Sequence, residues 1–161
     1  MLRAATVADA AAIAAIYNHY VLHTIITFEE VAVTDSEMAQ RITDVTGAGL
    51  PWFVWEENGR VLGYSYAGKW KLRTAFRYCV ESSIYLDKDA TGRGLGRKLY
   101  DALIAALRER KIHSVIGGIS LPNEASIGIS EKLGFQKIGH FKEVGWKFNQ
   151  WIDVGYWELI L

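Results

Sequence analysis

Near the middle of the chain, Gly92-Arg93-Gly94-Leu95-Gly96 has the composition of an anion-binding turn. Glycines let a backbone turn tightly and approach a ligand, and a helix opening here leaves its first amides pointing outward. The helix dipole adds roughly 0.3–1 kcal/mol of preference for negative charge. Arg93, Arg97 and Lys98 add positive charge around the turn. A phosphate or pyrophosphate fits this chemistry. A P-loop is excluded because no Gly-Lys-Ser/Thr follows, and the dinucleotide fingerprint is disfavoured because its third glycine is missing. On local chemistry alone, a glycine turn that merely starts a helix is an equal alternative.

Glu81 is the second candidate. It sits between Val80 and Ser82 in a strand pattern, and alternation puts it on the face of Cys79, Ser83 and Tyr85. A carboxylate in that setting needs a partner or a function, and general-base catalysis is the function it suits. A carboxylate tied to a buried neighbour or to the basic loop is the alternative. Lys69, Lys71, Arg73 and Arg77 form that loop. Guanidinium groups suit bidentate binding of a carboxylate or phosphinate. Arg77 shares the face of Glu81 if the strand begins there, so it is the preferred carboxylate ligand; Lys71 and Arg73 read as solvated. Cys79 reads as a core thiol because no histidine is its obvious partner. The four histidines lack metal-ligand spacing, so no metal is expected.

These groups must be positioned by one domain, residues 1–161, which is long enough to bury a core. Lysine plus arginine equals aspartate plus glutamate, 18 each, which argues against nucleic acid or an anionic membrane as partner. A single cysteine and no apolar run approaching about 18 residues make the cytoplasm the expected compartment. The pattern predicts a strand at Leu2–Ala5, a helix from Thr6 or Asp9 to about Leu22, and a second helix near Ser36–Val45 behind a Thr34/Glu37 capping box. Strands follow at Pro51–Glu56 and Val61–Ala67 around the Asn58-Gly59 turn, then a loop from Lys69 to Phe76 and a strand at Tyr78–Leu86. Leu95, Leu99, Leu103 and Leu107 mark the core face of the longest helix. A strand at His113–Ile119, a helix at Asn123–Leu133 closed by Gly134, and strands at Phe135–Lys142 and Tyr156–Leu161 complete an α/β sheet with helices on both faces.

The run Val80–Leu86 followed by Thr91–Gly96 resembles the acetyl-CoA-binding motif of the GNAT acetyltransferase superfamily. Asn123-Glu124-Ala125-Ser126 with Lys132-Leu133-Gly134-Phe135 resembles its second motif. Gly68–Phe76 looks like the basic aromatic loop of phosphinothricin N-acetyltransferases and their methionine sulfoximine-acetylating relatives. Gly145-Trp146-Lys147, Trp151, Asp153-Val154-Gly155 and Trp157 look like that subfamily's C-terminal hairpin. The likeness runs from Tyr17-Asn18-His19 to the end of the chain.

This resemblance implies the GNAT fold: a mixed, mostly antiparallel twisted sheet, splayed between its fourth and fifth strands and flanked by helices. It implies acetyl-CoA as co-substrate, its pyrophosphate on the backbone of Gly92, Arg93, Gly94, Leu95 and Gly96 beside Thr91 and Arg97. The pantetheine arm would follow Ile84, Tyr85 and Leu86, with Asn123 and Ser126 in contact. Glu81 would be the base, and a backbone N–H near Ile84–Leu86 would polarise the carbonyl. Phe28, Glu29, Lys69, Arg77, Ser83, Lys147 and Trp151 would bind a small acceptor, and the chain would form a homodimer. Two residues depart from pattern: Thr91 replaces glutamine or arginine, and Ser130 replaces a tyrosine or histidine. With Ser130, the leaving thiolate takes its proton from the amine or water, Tyr85 being the second option.

The implied reaction acetylates the α-amine of phosphinothricin, methionine sulfoximine or methionine sulfone. An acetyltransferase for a protein N-terminus, polyamine or aminoglycoside is one alternative, and the basic loop ranks it lower. A non-catalytic acyl-CoA-binding module is the other, against which Glu81 and the glycines count.

Overall fold

A computed structural model describes all residues from Met1 to Leu161. Seven strands form one sheet: β1 (Leu2–Ala4), β2 (Trp52–Glu57), β3 (Arg60–Lys69), β4 (Cys79–Leu86), β5 (Ser114–Leu121), β6 (Gln136–Lys147) and β7 (Gln150–Ile160). Their spatial order is β1-β2-β3-β4-β5-β7-β6. Helices α1 (Ala10–His23), α2 (Asp35–Gly47), α3 (Leu95–Glu109) and α4 (Glu124–Lys132) complete the chain in the order that the hydrophobic pattern predicts. Thr34 caps α2, with Glu37 closing the reciprocal bond.

Alternation along the strands sends side chains to two cores. Trp52, Val54, Val61 and Tyr64 pack with Ile13, Ile16 and Val21 of α1 and with Met38 and Ile42 of α2. On the other face Ala67, Val80, Val115 and Trp157 pack with Tyr100, Leu103 and Leu107 of α3. Leu95, Leu99, Leu103 and Leu107 are all buried, as their spacing requires.

Neighbouring strands are antiparallel except β4 and β5, which are parallel because α3 carries the chain back across the sheet. That parallel pair is short: Cys79 faces Ser114, Val80 faces Val115 and Glu81 faces Ile116. Past Glu81 the two strands part, although β4 continues to Leu86 and β5 to Leu121. The splay starts at the candidate base.

The strands differ from the sequence pattern at the C-terminal hairpin and at the start of β4. Strands β6 and β7 run as one long hairpin about a Phe148-Asn149 turn, where both residues have positive φ (50° and 58°). Register shifts at Lys137/Gly139 and Phe141/Gly145 break the alternation that would have marked the hairpin's full length. Strand β4 begins at Cys79, with Arg77 before it at the end of a 3₁₀ turn, Thr74–Phe76. Strand alternation therefore does not carry Arg77 onto the face of Glu81.

Candidate active site

The glycine turn is built as an anion cradle. Gly92 and Gly94 have φ of +73° and +74°, a region that costs an L side chain roughly 1–2 kcal/mol. Gly94 is the N-cap of α3 and offers no side-chain acceptor. The amides of Gly92 through Arg97 consequently have no hydrogen-bond acceptor within the chain; the first α3 amide so satisfied is that of Lys98, which donates to the Gly94 carbonyl. The flanking cations are largely engaged elsewhere. Arg93 pairs with Glu57 at 2.6 Å, Arg97 with Asp101 at 2.9 Å, and the Lys98 ammonium lies 4.8 Å from the centre of the Trp55 ring. Thr91 donates its hydroxyl to the Lys88 carbonyl at 3.4 Å. The anion affinity of the turn therefore rests on amides and dipole more than on side-chain charge.

A slot lies between the parted strands. Ser82, Ser83, Ile84 and Tyr85 of β4 line one side, Gly117 to Ser120 of β5 the other, and Asn123, Ser126, Ile129 and Ser130 its end at α4. Asn123 is the N-cap of α4 and accepts from the Ser126 amide at 3.1 Å. Tyr100 reaches this slot from α3, its phenol 3.3 Å from the Ser82 hydroxyl. Gly96 of the glycine turn borders two of its residues, a β-carbon there standing 3.1 Å from Ile129 and 3.7 Å from Ile84, so the narrow slot and the nearby unpaired amides suit an extended arm that ends in a pyrophosphate. Leu86 lies beyond it, its carbonyl accepting from Tyr20 at 2.6 Å.

The slot shares a wall with a wider cavity of about 520 Å³, the size of a small-molecule site. Glu81, Ser83 and Tyr85 line it from β4, Gly118 and Ser120 from β5, Ile26, Thr27 and Phe28 from the segment after α1, and Gly145, Trp146 and Tyr156 from the hairpin. Within the chain the Glu81 carboxylate makes no salt bridge and receives no hydrogen bond, and it lies over Gly118, where a β-carbon would stand 3.3 Å from Oε1. Burial raises the Glu81 pKa above the ordinary carboxylate value, and the positive charge of Lys71 partly opposes the shift. Tyr156 feels the same surroundings: burial raises its phenol, and Glu81 adds to the rise. Burial also drives the Tyr85 phenol well above 10.0, so at neutral pH it is a neutral donor.

Other residues singled out in the sequence stand elsewhere. Lys69, Lys71, Arg73 and Arg77 line a separate cavity of about 310 Å³, and the Arg77 guanidinium stacks 4.7 Å from the Tyr78 ring. Of these four cations, Lys71 is the one whose charge is felt at Glu81. Glu29 is engaged by Arg41 at 2.7 and 3.0 Å and by the Tyr17 hydroxyl at 3.1 Å. Tyr17 is pushed up to about 12 by burial. Lys147 is 1% exposed and donates to the Thr27 carbonyl at 2.7 Å, so it fastens the cavity's Ile26–Phe28 wall from behind. Trp151 is exposed against Trp146 with ring centres 4.7 Å apart; Trp146 faces the cavity and Trp151 does not. Gly118, Ser120 and Tyr156 carry no site assignment in the sequence, and Trp146 appears there only within the hairpin motif. The Gly117-Gly118 pair inside a strand was the available signal, since glycine in a strand marks a close approach.

A cradle of unpaired amides, a slot between splayed parallel strands and a carboxylate at the fork are the parts that acyl transfer from a pyrophosphate-bearing thioester would need. Comparison with known proteins gives the same class. Residues 2–155 match the acetyltransferase (GNAT) domain model. The chain is 42% identical to a phosphinothricin N-acetyltransferase of Alcaligenes faecalis, over 90% of this chain and 74% of that one. It is 41% identical to an L-methionine sulfoximine/L-methionine sulfone acetyltransferase of Salmonella typhimurium, over 99% and 94%. A Salmonella typhimurium acetyltransferase solved with acetyl-CoA superposes with a TM-score of 0.98 at 39% identity, covering 100% of this chain and 93% of that one. The chain belongs to the GNAT family and is an N-acetyltransferase.

Proposed function

We propose that this enzyme transfers the acetyl group of acetyl-CoA to the α-amine of a small amino acid of the methionine sulfone, methionine sulfoximine or phosphinothricin type, with Glu81 as general base. The observation that carries this reading is Glu81 itself, a half-buried carboxylate unpaired within the chain, in the wall of a cavity joined to the β4/β5 slot. The amides of Gly92–Arg97 would hold the pyrophosphate, and Ile84, Tyr85, Asn123 and Ser126 would line the pantetheine arm. Acetyl-CoA supplies an activated acetyl thioester. An α-amine is largely protonated at neutral pH, so a base must remove its proton before nitrogen can attack. The leaving thiolate takes a proton from the amine or water, because Ser130 offers only a weakly acidic hydroxyl.

The cavity volume suits an amino acid and not a folded peptide segment, and the positive charge of Lys71 felt at Glu81 favours an acceptor that brings its own carboxylate. Phe28 packs against Gly145 and would close over the acceptor side chain. Exposed Phe141, Val144, Trp146, Phe148 and Trp151 give the hairpin an apolar surface suited to a second copy of the chain, and a homodimer in the cytoplasm belongs to the same proposal. The test is thiol release from acetyl-CoA against a panel of acceptors. Turnover with methionine sulfone, methionine sulfoximine or phosphinothricin, exceeding that with polyamines, aminoglycosides and peptides, is expected. Preference for a cationic amine or a peptide N-terminus would overturn the assignment.

A further inference from the structure

The slot and the wider cavity share five residues, Ile26, Ser83, Tyr85, Gly118 and Ser120. A nitrogen entering from one and a thioester from the other can meet only along this wall. Three hydroxyls stand there. Tyr85 is a phenol kept neutral, and Ser83 is partly open to solvent. Ser120 differs from both: it is 4% exposed and its Oγ has no hydrogen-bond partner. A buried hydroxyl left unpaired is rare in a folded protein and calls for a ligand or a function. Ser120 follows Gly118 by two residues on β5, so its side chain leaves the sheet on the face where Glu81 meets Gly118.

We propose that the Ser120 hydroxyl accepts a hydrogen bond from the amine of the acceptor and so directs the nitrogen lone pair at the thioester. This rests on the reading that the acceptor occupies the Glu81 cavity. A neutral amine carries two N–H groups and one lone pair. With one N–H directed to Ser120 and Glu81 on the other side, the lone pair has one direction left. Glu81 takes the proton of the ammonium group and passes it to solvent. The nitrogen then bonds to the acetyl carbon, the carbon–sulfur bond breaks, and the second amine proton leaves with the thiolate as a thiol. Ser120 exchanges no proton; it orients.

Removing an unpaired hydroxyl should not weaken the fold, which separates this role from a structural one. Ser120→Ala is expected to lower kcat for methionine sulfone roughly 10- to 100-fold, with the Kd for acetyl-CoA and the Tm unchanged or the Tm higher. Ser120→Thr, which keeps the oxygen, should recover part of the loss. Unchanged turnover in Ser120→Ala overturns the inference. So does a parallel loss of acetyl-CoA affinity, which would give the hydroxyl to the co-substrate, or a lower Tm with activity lost in proportion. Wild-type protein inert toward methionine sulfone would overturn the acceptor assignment and this inference with it. An active wild type with an unaffected Ser120→Ala would overturn the role of Ser120 alone.

Discussion

The carboxylate of Glu81 lies against the bare α-carbon of Gly118, and a methyl group there would stand 3.3 Å from Oε1 and 3.1 Å from the Tyr156 ring. Both neighbours are side-chain ends that can move. Gly118→Ala should therefore fold, with a stability loss of about 1–2 kcal/mol, while displacing the base. Turnover is expected to fall roughly 10- to 100-fold, since small misplacements of reacting groups cost that much. Steady-state kinetics with a thermal melt checks this; full activity would show that Glu81 does not need its present position.

Gly94 has φ +74° at the N-cap of α3 and open space where a β-carbon would lie. Gly94→Ala should act through backbone conformation alone and tilt the amides of the turn. Acetyl-CoA binding, followed by calorimetry, should weaken about 10-fold for a cost of roughly 1–2 kcal/mol. The acceptor KM should hold. An unaltered Kd would move the pyrophosphate off this turn.

Lys147 reaches from β6 to the Thr27 carbonyl, and burial lowers its pKa below the ordinary lysine value. Lys147→Met keeps the chain's bulk and loses the bond. The Ile26–Phe28 wall should loosen and the acceptor KM rise about 10-fold, with acetyl-CoA affinity intact. Since a lowered lysine pKa means the fold favours the neutral form, wild-type stability should rise with pH through that pKa, and Lys147→Met should lack the slope. An acceptor KM equal to wild type would make Lys147 a packing residue only.

The parts of this site carried by local chemistry were legible in the sequence. Gly92 and Gly94 announce a left-handed turn, the leucine spacing of α3 announces its buried face, and alternation sets Glu81, Ser83 and Tyr85 on one side. The residues that sequence reasoning misplaced depend on distant partners. Arg77 looks equivalent to Glu81 by parity until the strand is seen to start at Cys79. Glu29 and Lys147 look like ligands for an acceptor until Arg41 and the Thr27 carbonyl are found beside them. Trp146 and Trp151 are partners across the hairpin, and only the folded chain shows that Trp146 lines the cavity and Trp151 does not. Ser120 carries no signal of its own in sequence; its meaning comes from having no partner in space.

The pH dependence of kcat/KM for methionine sulfone, measured on wild type and Glu81→Gln, tests the role of Glu81 most directly. The base works ionised, and burial raises its pKa above the ordinary glutamate value, so wild-type activity should fall on acidification with a midpoint shifted upward from that value. Glu81→Gln should lower kcat about 10²- to 10⁴-fold and abolish that acid limb. The same raised pKa means the folded chain holds a proton that the unfolded chain has lost, so between the two values wild-type stability should fall as pH rises, a slope absent from the variant. Wild-type turnover in Glu81→Gln, with the acid limb intact, would contradict the assignment of Glu81 as the base.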